Sequence, residues 1–209
     1  MDLLEWIADE RRLVADLVDG LTPQQLATRS LCDAWTVHDV TAHLVLPLVT
    51  PLPAVLLAMV TSGFDFNRAN VKLTAKVARR PVAELTAELR ERAMPPFKPP
   101  GLGFEAPLND VLVHQQDIRR PLGLTAALSP ERLRVCLDFA AGQHVVKARP
   151  GSAMHGLRFV ADDVGWAHGD GPLVQGTGEA LLLVLNRRRA ALPDLHGPGA
   201  DALRERLSA

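Results

Sequence analysis

The stretch Leu108–Gly123, LNDVLVHQQDIRRPLG, decides how the chain is read. Proline cannot continue a helix interior and glycine suits the residue just past a helix end, so the run reads as a helix closed by Pro121 and Gly123. On that helix Asp110 and His114 stand four residues apart, one above the other on the same face. A carboxylate and an imidazole so placed can both reach one divalent cation. A mononuclear catalytic site usually takes three protein ligands and keeps a position open, so a third residue is needed. The candidate is His43, in AWTVHDVTAHLV, on what reads as an earlier helix of the same bundle.

Around this set lie supporting candidates. Asp117, one helical turn beyond His114, is placed to accept a hydrogen bond from a ligand imidazole and fix its tautomer, or else is a surface charge beside Arg120. Arg119 or Arg120 offers a forked guanidinium for the carboxylate of a substrate or cofactor, although cations in a last helical turn also answer the helix dipole. Asp110 has a second reading as a first-turn residue, because Pro107 sits just before it.

The His43 helix has a clear start. Thr36 followed three residues later by Asp39 is a capping-box pattern, and Trp35 with Val40 occupies the positions of a hydrophobic staple. Asp39 is therefore read as a cap or a supporting group more readily than as a metal ligand. His38 reads as a solvated surface residue. His43 alone would be a core histidine among Ala42, Leu44 and Val45; only its pairing with the second motif makes it a ligand candidate.

Together the two segments resemble a known family. Trp35-Thr36-Val37 with Asp39 and His43, then Asp110, His114 and Asp117 ending in Pro121-Leu122-Gly123, look like the mycothiol-dependent maleylpyruvate isomerase family of actinobacteria. That family belongs to the DinB-type superfamily of metal-binding four-helix bundles. The C-terminal run FVADDVGWAHGDGPLVQGTGEALLLVLNRR is similar to its small α/β tail. Where the family's isomerases carry glutamate four residues before the second histidine, this chain has Asp110, one methylene shorter. The resemblance implies a divalent metal, zinc first, held by His43, Asp110 and His114, and mycothiol as the thiol cofactor. It also implies that the thiol sulfur adds to a substrate double bond for cis–trans isomerisation, or is transferred to a small electrophile. Two other readings stay open: a non-catalytic DinB-like binding or dimerisation module, and a metal-dependent hydrolase whose nucleophile is bound water.

Composition narrows the classes. At 209 residues and 47% hydrophobic content the chain can bury a core without staples. A net charge of −1 gives no footprint for nucleic acid or an anionic membrane. No stretch approaches the roughly 20 apolar residues that span a bilayer, and the acidic N-terminus is unlike a signal peptide, so a cytoplasmic protein is expected. The expected partners are a small-molecule substrate and a low-molecular-weight thiol, with a homodimer left open. Cys32 and Cys136 form no CxxC pair and read as reduced thiols packed as small apolar groups. Of the 23 basic residues 19 are arginine, which fits a GC-rich genome.

Along the chain, Leu3 to Val18 recur at helical spacing up to Gly20. Pro47, Pro51 and Pro53 are expected to break or kink the His43 helix, with an apolar helix PAVLLAMV following. In the amphipathic continuation, Phe64, Phe66, Asn67 and Asn70 are candidates to line a pocket between helices. VAELTAELRERA has the Glu and Arg spacing of a solvated face. Met94–Pro107, rich in proline, reads as a connector or as a loop over the site. Ser129-Pro130-Glu131 opens a helix to about Lys147. After Pro150 the period changes: LRFVADD, VGWAHG and LVQG read as strands and Glu179–Arg189 as a helix. His155, His168 and His196 form no second site, and the glycine-rich HGDGP and GTGEA lack a phosphate-binding pattern. The expected architecture is mostly α, α+β overall: a DinB-like metal-binding four-helix bundle over 1–150, then a small α/β domain over 151–209.

Overall fold

The computed structural model describes residues 2–32, 35–94, 101–125, 127–146 and 153–208. They form two compact units, 1–125 and 126–209.

In the first unit α1 (Leu3–Asp19) begins where the Asp2 side chain accepts from the Leu4 N–H. A short α2 (Pro23–Leu26) follows, held by a capping box between Thr22 and Gln25. Then come α3 (Val37–Val49), α4 (Leu52–Thr61), α5 (Phe66–Val77), α6 (Val82–Glu91) and α7 (Glu105–Arg119). A 3-10 turn, Arg120–Leu122, closes α7 and ends at Gly123, whose φ of +65° favours glycine. Helices α1 and α3 each pack against both α6 and α7, which closes a four-helix ring. α5 lies on α3, and α4 on α5. Val14, Val40, Leu85, Leu89, Leu108 and Leu112 are fully buried in this unit. Each such side chain contributes about 1.5–3 kcal/mol by leaving water.

Several local expectations change. Pro47 does not break α3; it sits inside its last turns, where it brings no N–H to the carbonyl of His43. The Met94–Pro107 stretch is partly helical, since α7 starts at Glu105 and Pro107 is tolerated in its first turn. Residues 95–100, on which the loop reading rests, lie outside the described residues. Asp110 therefore sits in the second turn of α7 and is not a first-turn or capping group. The α6 carboxylates pair with arginines that flank the helix, Glu84 with Arg80 at 3.0 Å and Glu88 with Arg92 at 2.6 Å. The opposite side of α6 buries Leu85 and Leu89 and is a wall of the bundle.

The second unit contains α8 (Pro130–Val146), β1 (Arg158–Ala161), β2 (Trp166–His168), β3 (Leu173–Gly176), α9 (Gly178–Leu185) and α10 (Pro198–Ser208). Its sheet has the order β2-β1-β3, with β1 antiparallel to β2 and parallel to β3. Among the described residues these are the only strands of a sheet. The division at 125/126 differs from the expected 150/151 because α8 packs on α9 and β2, and Trp166 donates its indole N–H to Asp138 at 2.7 Å. No helix among the described residues is long and apolar enough to cross a membrane.

Candidate metal centre

α3 and α7 are neighbours in the ring, and their facing sides carry the chemistry. The Nε2 of His43 lies 3.7 Å from Asp110 Oδ1, and the Nε2 of His114 lies 3.5 Å from the same oxygen. One donor atom from each of the three residues falls within 4.8 Å of the others. These separations are too long for good hydrogen bonds. They are close to the spacing of about 3.4 Å between ligand atoms of a tetrahedral ion with bonds of about 2.0–2.2 Å. The donor set, two imidazoles and a carboxylate, also suits zinc. The residues present therefore fit a divalent ion.

The histidines are held differently. His114 Nδ1 is 2.8 Å from Asp117 Oδ2, an acceptor that suits a ring N–H at that nitrogen, and Nε2 is the nitrogen that faces Asp110. His43 has a buried Nδ1 with no hydrogen-bond partner among the described residues. Its ring is instead stacked on Trp35, centroids 4.7 Å apart, and meets His114 edge-on at 4.7 Å. Trp35 is held by its neighbours: Ser30 donates its N–H and its hydroxyl to the Trp35 carbonyl at 3.0 and 2.8 Å, and Trp35 N–H donates to the Cys32 carbonyl. Leu31 and Cys32 are tied to α7 by the Leu31 N–H on the Asp117 carbonyl and the Cys32 thiol on Asp117 Oδ2, both 3.2 Å.

Exposure grades across the cluster. The Asp117 side chain is 0% exposed, His114 7%, His43 13% and Asp110 44%, so the open side is at Asp110. Burial pushes the Asp110 carboxyl up, but the histidines beside it, His114 foremost, more than offset this and hold it well below its ordinary value. Burial pushes His114 down, yet the nearby Asp110 charge, with the contacts to Asp117 and Cys32, holds it well above the usual imidazole range. On α1 the buried Arg11 donates to the carbonyl of Ala93 at 2.8 Å, just past the end of α6; burial pushes its pKa down, and the Asp110 charge opposes that.

Cys32, His114 and Asp117 form a second group with metal-ligand chemistry. There the His114 and Asp117 atoms are already in direct hydrogen-bond contact at 2.8 Å, closer than the roughly 3.4 Å between two ligands of a tetrahedral ion. That group is better suited to orienting His114.

The other sequence candidates fall elsewhere. Asp39 is committed to its cap: Oδ2 accepts from the Thr36 N–H at 2.9 Å and the Thr36 hydroxyl at 2.7 Å. His38 is not simply solvated, since Nε2 is 3.0 Å from the Ala78 carbonyl at the end of α5. Arg119 lies five residues after His114, on the side of α7 opposite the Asp110–His114–Asp117 ridge. Burial pushes its pKa down, against the charge of Glu10 on α1. Glu10 also accepts from Gln115 at 3.1 Å. Arg120 starts the 3-10 turn. The carboxylate clamp assigned to Arg119 or Arg120 thus finds no support in the placement of Arg119. Phe64 and Phe66 do not line a pocket between helices, being 73% and 68% exposed. Cys32 is not an inert filler. Its role, with the stacking of Trp35 and the approach of Arg11, escaped the sequence reading, and only the position of Cys32 near the Trp35 motif hinted at it.

The fold defines the class: a four-helix-bundle domain, two of whose adjoining helices present a His–Asp–His set. Residues 7–93 match the family model described as the mycothiol maleylpyruvate isomerase N-terminal domain. The match takes in Trp35 and His43 and ends before α7. Two crystal structures of a mycothiol-dependent maleylpyruvate isomerase are similar to the chain. A histidine-to-alanine mutant aligns with a TM-score of 0.65 at 12% identity, covering 96% of this chain and 94% of that one. A second structure aligns with a TM-score of 0.58 at the same identity and coverage. At that identity the likeness establishes the fold. No curated protein matches the chain.

Proposed function

We propose that the protein is a metal-dependent, mycothiol-dependent enzyme of the maleylpyruvate isomerase type. It would activate a low-molecular-weight thiol for cis–trans isomerisation of an unsaturated dicarbonyl acid, or for S-transfer to a small electrophile, in the cytoplasm. The observation that carries this reading is the convergence of His43 Nε2 and His114 Nε2 on Asp110 Oδ1 at 3.7 and 3.5 Å. The N-terminal domain match supports the choice of thiol.

In this reading His43, Asp110 and His114 hold a divalent ion, zinc first, whose charge lowers the pKa of a thiol so that thiolate is present at neutral pH. Asp117 keeps the proton of His114 on Nδ1 and leaves Nε2 free as a donor atom. Trp35 restricts the tilt of His43 by stacking. The partly exposed Asp110 marks the side from which thiol and substrate arrive, while buried Asp117 and His114 exclude water from the other. A thiol held there would supply reversible addition to the substrate double bond, which frees rotation about that bond before the same thiol is eliminated.

The test is turnover of an unsaturated dicarbonyl acid or a small electrophile with and without added mycothiol. Activity that depends on the thiol is expected. Undiminished activity with no thiol present would reject the proposal in favour of hydrolysis.

A further inference from the structure

α4 is apolar all round, and the described part of the chain leaves most of it bare. From Pro51 to Phe64 there is no charged residue, and only Ala58 of α4 is buried. Leu52, Leu56, Leu57, Val60 and Phe64, with Phe66 at the start of α5, are each 56–73% exposed. A surface helix of a monomer normally turns one apolar stripe inward and a polar face outward; α4 turns an apolar face outward. Phe64 holds this exposed position at a φ of +61°, a left-handed conformation that costs energy in a residue other than glycine.

We infer that this face is the interface of a homodimer, its occupant the α4 face of a second copy of the chain. The six side chains offer on the order of 800 Å² of apolar surface, the amount each partner contributes to a stable protein–protein interface and more than a typical monomer exposes in one patch. The stripe is also self-complementary. In an antiparallel pairing about a two-fold axis, Leu56 and Leu57 meet their own counterparts at the centre. Leu52 of each copy meets Val60 and Phe64 of the other, as an isologous interface requires. A lipid surface is the less suited occupant: beside the stripe Lys72 donates to Thr61 Oγ1 at 2.9 Å, and the exposed Arg68 stands 3.4 Å from Asp65, whose carboxylate offsets its charge. Since α5 packs on α3, the interface braces the helix that bears His43.

Sedimentation velocity of the full chain from about 1 to about 100 µM tests the assignment, with Leu56→Glu and Val60→Glu as variants. Wild type is expected at twice the chain mass. Either variant should raise the dissociation constant at least about 100-fold, because a carboxylate would be buried in an apolar contact. Both positions are mostly exposed, so the fold should be unchanged by circular dichroism. Leu13→Glu, on α1 and outside the stripe, should leave the dimer intact. A wild-type monomer at every concentration would overturn the assignment, as would a dimer untouched by both variants. A monomer that floats with phosphatidylglycerol-containing vesicles would overturn it in favour of a lipid surface.

Discussion

His114 and Asp117 stand one turn apart on α7, with Nδ1 and Oδ2 separated by 2.8 Å and Asp117 wholly buried. This contact sets which nitrogen of His114 faces Asp110. Replacing Asp117 with asparagine keeps the shape but removes the charge that steadies the ring N–H. Asp117→Asn should fold and still take up metal, with affinity or activity reduced about 10-fold to 100-fold. Metal titration of the purified variant checks this, and an unchanged affinity would remove Asp117 from the site.

Cys32 shares Asp117 Oδ2 with His114 through a thiol at 3.2 Å. A thiol is a weak donor, so Cys32→Ala should cost less than Asp117→Asn, about 2-fold to 5-fold in metal affinity. A larger loss from Cys32→Ala than from Asp117→Asn, measured side by side, would mean that Cys32 contacts metal or substrate directly.

Asp39 separates capping from ligation. Because its carboxylate is spent on Thr36, Asp39→Ala should lower stability by about 1 kcal/mol in denaturant unfolding and leave metal content unchanged. Loss of metal without loss of stability would reverse that assignment.

The charges of the cluster set a pH dependence. His114 titrates above its unfolded value of about 6.5, so in the metal-free protein its stabilising contribution is complete below that value and fades as pH rises through the raised one. Asp110 titrates below its unfolded value of about 3.9, so its contribution holds above that value and is lost as pH falls through the depressed one. Metal must displace the His114 proton, and its affinity should therefore climb with pH where apo stability declines. Chelator-treated protein unfolded at about pH 5.5 and about pH 9, with metal affinity at both, measures the two trends. Parallel trends would contradict the coupling.

The helical bundle and the strands were legible because period and caps are local. The alternation in LRFVADD became β1, and Thr36 with Asp39 became the cap of α3. The His43–Asp110–His114 grouping was legible from spacing and family likeness together. What was not legible depends on tertiary contact. The allegiance of α8 to the second unit follows from Trp166 meeting Asp138, which no spacing records. Cys32 reaches Asp117 through contacts that spacing does not record, with the Ser30 hydroxyl on the Trp35 carbonyl beside it. The face of Arg119 could have been counted from the helical repeat, which sets it opposite Asp110.

The central claim is that His43, Asp110 and His114 hold one divalent ion, and elemental analysis of purified protein tests it most directly. The account predicts about one equivalent of metal in wild type, zinc foremost, and its loss in His114→Ala. Equal and negligible metal in both proteins would contradict it.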